Sequence, residues 1–160
     1  MITLAVDTPD DMESLGARIA ALLRAGDLVL LVGELGAGKT TLTRGLGAAL
    51  AVRGAVTSPT FVLARTHPRE EGPPLVHVDA YRLGAAIELD DLDIDYAGSI
   101  VVVEWGDGLL DGVADSWLRI EIDRTAGIAP DAELDPRVVR VSGVGPRWAG
   151  VDLERAVRPA

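Results

Sequence analysis

The amino-acid sequence predicts an α/β fold in which a central, mostly parallel sheet is flanked by helices in three layers. Short apolar runs at residues 28–32, 75–79 and 99–105 are rich in Val, Ile and Leu, as expected of strands buried on both faces. Helical periodicity follows or precedes them at residues 12–25 and 41–51. Strands that alternate with helices in this way are typical of parallel sheets.

A glycine-rich loop joins the first of these runs to the second predicted helix. Its pattern is Gly33, four further residues, then Gly38, Lys39 and Thr40. Glycines let successive backbone N–H groups turn inward around a polyphosphate, and the helix adds the positive end of its dipole. The lysine would reach the β- and γ-phosphates, and the Thr40 hydroxyl would complete a Mg²⁺ shell. The alternative is a plain glycine turn, but the strand, the spacing and the helix together favour a P-loop.

We therefore predict a single P-loop NTPase-like domain over residues 1–160. The chain has 15 Lys plus Arg residues, and Lys39 is its one lysine. A compact ammonium fits under phosphates where a guanidinium fork fits poorly, which makes Lys39 the strongest candidate. The predicted nucleotide contacts in the loop are Gly36, Ala37, Gly38, Lys39, Thr40 and Thr41.

Composition limits the partners and the compartment. The formal net charge is −10, which argues against a broad basic face that grips nucleic acid, so any connection with RNA should be indirect. The sequence has no cysteine, which excludes disulfides and thiolate chemistry. No apolar run approaches the roughly 18 residues that a membrane span needs. We expect a cytoplasmic protein without a membrane segment.

Two of the predicted strands end in an acid. Asp79 closes the run at residues 75–79, and Glu104 stands near the end of the run at 99–105. Open α/β sheets place their sites at the carboxyl ends of their strands. An acid there can hold the water shell of Mg²⁺ or orient the attacking water, so both are candidate catalytic residues. The alternative is a carboxylate that only terminates a strand.

The remaining elements are predicted from local patterns. Gly45 and Gly47, inside the second helix, suggest close packing against the sheet. A loop with the hydroxyls of Thr57, Ser58 and Thr60 follows, where a threonine can sense the γ-phosphate. Further strands are expected at residues 1–6, up to Arg65, at 117–124 and at 138–141, with helical spacing at 88–96 and a short terminal helix at 148–157.

Missing residue types narrow the nucleotide. The sequence contains neither Asn nor Gln, so it has no Asn-Lys-x-Asp element for guanine and no glutamine to position water. Adenine is therefore the better prediction for the base, and Glu104 or Asp79 is predicted to orient the attacking water.

Two alternative functions stay open at this point. One is a small-molecule kinase in which Arg65, Arg69 and Arg82 clamp a second substrate. The other is an interaction module that binds ATP as a switch.

Four motifs in order resemble the bacterial TsaE family, the ATPase of tRNA threonylcarbamoyladenosine biosynthesis. They are the P-loop that runs from Gly33 to Thr41, then Ser58-Pro-Thr-Phe61, His77-Val-Asp-Ala-Tyr-Arg-Leu83 and Val103-Glu-Trp105. The resemblance implies a small cytoplasmic P-loop ATPase that uses ATP and Mg²⁺. It also implies that this ATPase works with the TsaB and TsaD proteins on the modification of adenosine 37 of tRNA.

The resemblance also implies roles for individual residues. Lys39 is similar to the phosphate lysine, and Thr40 and Glu104 to the Mg²⁺ ligands. Asp79 is similar to the family's acid in the His-x-Asp-x-Tyr-Arg-Leu block, and Thr60 is similar to the switch residue of its Ser-Pro-Thr motif. An arginine that touches the nucleotide is matched by Arg137, after a loop at 125–136 that is longer than the family pattern. One departure is Met12, which stands where a threonine is common, so the contact with the base is unassigned.

Overall fold

The structure is a computed structural model that describes residues 1–57, 64–80, 92–104, 110, 112–125 and 135–160. Within these ranges the chain forms seven strands, three α-helices and one short 3₁₀ helix. In chain order the elements are β1 (Ile2–Val6), α1 (Pro9–Ala20), β2 (Leu28–Gly33), α2 (Lys39–Ala49), β3 (Ala64–His67), β4 (Leu75–Asp79), β5 (Ile100–Glu104), β6 (Trp117–Arg124), β7 (Arg137–Val144), the 3₁₀ helix Pro146–Trp148 and α3 (Leu153–Val157).

All seven strands belong to one sheet with the order β1-β7-β6-β2-β5-β4-β3. Four adjacent strands, β6, β2, β5 and β4, run parallel to one another. The outer pairings, β1 with β7, β7 with β6 and β4 with β3, are antiparallel. The predicted α/β fold with a mostly parallel centre is therefore confirmed. Strand β2, which leads into the glycine loop, lies in the middle of the parallel part.

The sheet is the middle layer of three. On one face, Val29 and Leu31 of β2 join a core with Leu15 of α1 and Leu42 and Leu46 of α2, all fully buried. The opposite face has its own apolar cluster. Its centre is Leu28, Leu30, Val101 and Val103, and segments that include Tyr96, Val113 and Trp117 pack against it. Because strand side chains alternate between faces, the odd positions of β2 point toward the helices.

Helices α1 and α2 cross at unusually close range, and glycines permit it. A Cβ added to Gly45 would lie 2.1 Å from the carbonyl oxygen of Glu13 in α1. One added to Gly16 would lie 2.2 Å from the carbonyl oxygen of Leu42. The prediction that Gly45 packs against the sheet is therefore wrong, because its neighbour is the backbone of α1. Gly47 faces the side chains of Val52, Val56 and Leu75.

The first helix begins and ends earlier than the apolar spacing predicts. The Thr8 hydroxyl accepts a hydrogen bond from the backbone N–H of Asp11, and Pro9 occupies the first turn, so the helix starts at Pro9 rather than Met12. It ends at Ala20 because Leu22 and Leu23 donate to carbonyls three residues back instead of four.

The second helix starts at Lys39 and stops at Ala49, two residues before the predicted end. Ala51 adopts a left-handed conformation with φ of 55°. The next N–H, of Val52, reaches back to the carbonyl of Gly47 and closes the helix end.

Other boundaries differ more modestly. Strand β7 extends over Arg137–Val144 rather than 138–141, and the predicted helix at 148–157 is only α3 because Gly150, with φ of 84°, interrupts it. Residues 92–96 are not helical, and 88–91 lie outside the described residues. The strand predicted up to Arg65 is β3, which begins at Ala64 and continues to His67. No helix among the described residues is long and apolar enough to cross a membrane.

Candidate functional site

The P-loop, residues 33–40, links β2 to α2. Two of its residues have a positive φ, a backbone conformation that favours glycine. Gly36 has φ of 78° and Gly38, the N-cap of α2, has φ of 118°. Both values lie in a region that side chains with a Cβ rarely occupy, so these positions require glycine. Because the N-cap has no side chain, the first N–H groups of α2 are not capped from that position and can serve an anion.

Lys39 folds into the curve of this loop. Its Nζ donates to the carbonyl oxygens of Gly33 at 2.7 Å and Glu34 at 2.8 Å, and the residue is only 6% exposed. Burial lowers the pKa of Lys39 below its usual value, and the negative charges of Glu104 and Asp79 partly restore that pKa. The ammonium is therefore within electrostatic reach of both candidate acids.

The two acids stand side by side at the ends of adjacent parallel strands. In the register of β4 and β5, Asp79 is directly opposite Glu104, and Leu31 of β2 is the partner of Glu104 on its other side. Both acids are buried. Because Leu31 belongs to the core below α2, the alternation of strand side chains puts Glu104 and Asp79 on the P-loop side of the sheet.

A histidine that our sequence reasoning did not single out joins this group. Nε2 of His77 lies 3.2 Å from Oε1 of Glu104, and both side chains are almost completely buried. His77 precedes Asp79 by two residues in β4, so it points to the same face. The signal in the sequence was this two-residue spacing, His77-Val-Asp79, at the end of a strand.

Arg137, the first residue of β7, also contacts the P-loop. In the sheet, β7 lies on the other side of β2 from β4 and β5, the strands that carry the two acids. Its Nε donates to the carbonyl oxygen of Ala37 at 2.9 Å, and its Nη1 donates to that of Asp135 at 2.7 Å. The Asp135 carboxylate also pairs with this guanidinium, and that hydrogen bond lowers the pKa of Asp135. Arg137 therefore holds the loop's backbone in this structure.

A cleft of about 330 Å³ opens beside the P-loop, between the start of α1 and Arg137. We call it the α1 cleft. Its lining includes Pro9, Met12, Gly36, Gly38, Thr41 and Arg137. The Met12 side chain is a close neighbour of Gly38, because a Cβ added to Gly38 would lie 3.3 Å from Cε of Met12. Met12, which stands where the family commonly has a threonine, thus forms an apolar wall of the cleft next to the P-loop.

The other predicted site residues are placed as follows. Thr40 and Thr41 follow Lys39 in the first turn of α2, both half-buried. Thr60, with Ser58, lies outside the described residues. Of the arginines in the kinase alternative, Arg69 donates to the carbonyls of Leu50 and Pro73 and so holds the chain after α2, while Arg82 lies outside the described residues.

The residues at this site suit a magnesium-bound polyphosphate. A hydroxyl from Thr40 and a carboxylate from Glu104 are oxygen ligands of the kind that Mg²⁺ prefers. The Glu104 carboxylate is buried, and a buried negative charge calls for a partner of opposite sign, which a cation would supply. The lysine, the glycine turn and the start of α2 supply the positive environment that phosphates need.

Comparison with known proteins decides the family. The family model described as threonylcarbamoyl adenosine biosynthesis protein TsaE matches residues 6–129, which include the P-loop, both acids and His77. The chain belongs to the TsaE family. The TsaE protein of Streptomyces coelicolor is 58% identical over 146 residues, which cover 89% of this chain and 97% of that protein.

More distant TsaE proteins match over most of their length as well. TsaE of Mycobacterium tuberculosis is 46% identical over 134 residues, covering 78% of this chain and 80% of its own. TsaE of Bacillus subtilis is 31% identical over 143 residues, covering 88% and 84%. Each of these relatives is described as a tRNA threonylcarbamoyladenosine biosynthesis protein.

The fold has a solved counterpart. The crystal structure of YdiB from Bacillus subtilis superposes with a TM-score of 0.72 at 27% sequence identity, covering 92% of this chain and 88% of that chain. The predicted P-loop fold and the resemblance to the TsaE family are therefore both confirmed.

Proposed function

We propose that this TsaE protein binds ATP with Mg²⁺ on its P-loop, hydrolyses it, and so supports threonylcarbamoylation of adenosine 37 in tRNA. One observation carries the hydrolase part. The Lys39 ammonium sits inside the glycine turn, within electrostatic reach of the two buried acids that end β4 and β5. The tRNA part rests on the family and on relatives such as TsaE of Streptomyces coelicolor, which is 58% identical over 146 residues.

The residues around the P-loop divide the work of binding. Backbone N–H groups of Gly36 and of residues 38–41 would bind the phosphates, while the Ala37 N–H donates to the carbonyl of Glu34. Lys39 would exchange its two carbonyl partners for phosphate oxygens. The α1 cleft is adjacent and large enough for an aromatic base, and the Met12 thioether is a polarizable surface for it. Arg137 would stabilise this conformation of the loop by its hydrogen bond to the carbonyl of Ala37.

Hydrolysis then requires a water in line with the γ-phosphate. Mg²⁺, held by Thr40 and Glu104, would neutralise charge on the phosphate oxygens. Lys39 stabilises the same developing charge. Either Glu104 or Asp79 orients the water and takes up its proton, because both carboxylates end their strands beside the loop. Thr60 completes the site in this proposal as the residue that senses the γ-phosphate.

The negative net charge of the chain favours an indirect connection with tRNA, through partner proteins. With a net charge of −10, this protein has little to offer the phosphates of tRNA, so we infer that TsaB and TsaD hold the tRNA and that this chain acts through them in the cytoplasm. Turnover should be slow in isolation and faster in the assembly. The switch alternative differs only in degree: there, the chain would hydrolyse ATP only when it is bound to its partner proteins.

The decisive experiment compares Lys39→Ala with Arg44→Ala in nucleotide titrations and phosphate-release assays. Arg44 is an exposed cation on the same helix, paired with Glu13. We expect Lys39→Ala to lose ATP binding and turnover while Arg44→Ala keeps both. Unchanged turnover in Lys39→Ala would refute the site. Transfer of labelled phosphate to any acceptor other than water would favour the kinase alternative.

A second experiment addresses the partners. The chain is used to pull down TsaB and TsaD with and without ATP, and turnover is measured alone and in the mixture. Nucleotide-dependent capture and faster turnover would support the proposal. Capture that ignores ATP, with no change in turnover, would contradict it.

A further inference from the structure

His77 is buried beside Glu104 in a way that core packing alone does not require. Its side chain has no exposed surface, yet a histidine carries two ring nitrogens that both call for hydrogen bonds. Among the described residues, neither nitrogen has a well-aligned partner, and the same holds for Oε1 of Glu104. Two such atoms only 3.2 Å apart are natural partners for each other.

The sheet fixes the approach of these two side chains. His77 is paired across the ladder with Val102, and Glu104 is two residues further along the same strand, opposite Asp79. His77 therefore reaches Glu104 diagonally, on the helix-facing side. The imidazole lies behind the carboxylate, one pleat farther from the carboxyl end of the strand.

A glutamate in this position needs such a support. The terminal torsion of a glutamate side chain is broad, so packing alone leaves the orientation of its carboxylate poorly defined. A hydrogen bond to one oxygen fixes the plane of the group and leaves the other oxygen for a ligand. Asp79, at the neighbouring strand end, can then act on a separate partner.

We propose that His77 is a positioning residue: its Nε2–H donates to Oε1 of Glu104 and aims the other carboxylate oxygen at the P-loop. The inference rests on the proposed function for the ligand that Glu104 serves, a divalent cation with a nucleotide. The observation behind it, the 3.2 Å approach of Nε2 of His77 to Oε1 of Glu104, concerns the protein without nucleotide.

The direct test is an NMR experiment on the wild-type chain labelled with ¹⁵N-histidine. The chain has two histidines, His67 and His77, so His77→Gln assigns the spectrum by removing one imidazole. We expect Nε2 of His77 to carry a proton that exchanges slowly with water and whose signal moves in Glu104→Gln. The His67 signals should not move. An unprotonated Nε2, or a signal that ignores Glu104→Gln, would overturn the inference.

A second arm measures the consequence without turnover. Mn²⁺ is titrated into the protein with ADP, followed by electron paramagnetic resonance, in the wild type, His77→Gln and His77→Met. Glutamine can place an amide N–H near the position of Nε2, whereas methionine fills the space without a donor. We expect Mn²⁺ to bind about 10 to 100 times more weakly in His77→Met and within a few-fold of wild type in His77→Gln, with metal-free ADP affinity unchanged.

The two variants and the two arms separate the possible failures. Equal weakening in both variants, or none in His77→Met, would leave His77 as a packing residue. If His77→Met does not fold, the NMR arm on the wild type and Glu104→Gln still decides. If the wild type holds the hydrogen bond but shows no ATP turnover with or without TsaB and TsaD, the proposed function fails and this inference stands.

Discussion

The carbonyl oxygen of Ala37, in the P-loop, accepts a 2.9 Å hydrogen bond from Nε of Arg137, which lies 100 residues further along the chain. Arg137→Ala should therefore loosen the P-loop and weaken nucleotide binding by roughly tenfold, because a hydrogen bond from a charged group is lost. Isothermal titration with ADP measures this. Arg140→Ala is the matched control, since Arg140 lies on the same strand but pairs with Glu121 and Asp123. Equal effects in both variants would contradict the prediction.

Glu104→Gln and Asp79→Asn test the two acids without changing their size. We expect Glu104→Gln to lower the rate of phosphate release by about 100-fold or more while nucleotide affinity falls much less. Single-turnover kinetics with ATP bound in advance separate the two quantities. A larger loss of rate in Asp79→Asn would make Asp79 the residue that orients the water. Equal losses of binding and rate in Glu104→Gln would indicate a role in folding.

The close crossing of α1 and α2 predicts a strong difference between two glycines of one helix. In Gly45→Ala the new Cβ meets the backbone of Glu13, which cannot move aside, so we expect a loss of about 2 kcal/mol or more of unfolding free energy. In Gly47→Ala the nearest atom is the end of the Val56 side chain, which can rotate. Its cost should be smaller, because alanine favours a helix over glycine by about 1 kcal/mol. Urea denaturation compares them, and equal midpoints would contradict the prediction.

His67 should make stability depend on pH. Burial lowers the pKa of His67 below its usual 6.5, and the nearby His77 and Arg65 lower it further, while a hydrogen bond that the imidazole donates to the backbone carbonyl of Arg53 opposes them. The unfolded chain then binds the proton more readily, so stability is lost as pH falls through 6.5 and levels off below the folded pKa. The urea midpoint of the wild type should drop more steeply between about pH 7.5 and 5.5 than that of His67→Gln. Parallel profiles would contradict this.

Local patterns were enough to predict the strands and the P-loop, because buried parallel strands and glycine turns leave strong signals over a few residues. The run Val101-Val102-Val103 and the Gly38-Lys39 pair are of this kind. The start of α1 was mispredicted because the capping hydroxyl of Thr8 outweighed the apolar spacing. A periodicity argument does not include such a cap.

Contacts between distant segments could not be predicted in the same way. The strand order puts β5 between β2 and β4, and only that order makes Asp79 and His77 neighbours of Glu104. The ion pair of Arg147 with buried Asp27, 120 residues apart, likewise has no local signal. The role of Arg137 at the loop depends on the same long-range pairing of β7 with β1 and β6.

Because Lys39 is the only lysine among these 160 residues, it is the only site at which a lysine side chain of this sequence can be modified after translation. Acetylation, or attachment of a protein tag through an isopeptide bond, needs an accessible side-chain amine, and the one that this sequence offers is turned into the P-loop and 6% exposed. Any enzyme that modifies lysine here must therefore compete with the loop's own carbonyls. Such a modification would also remove the ammonium from the P-loop in the same step.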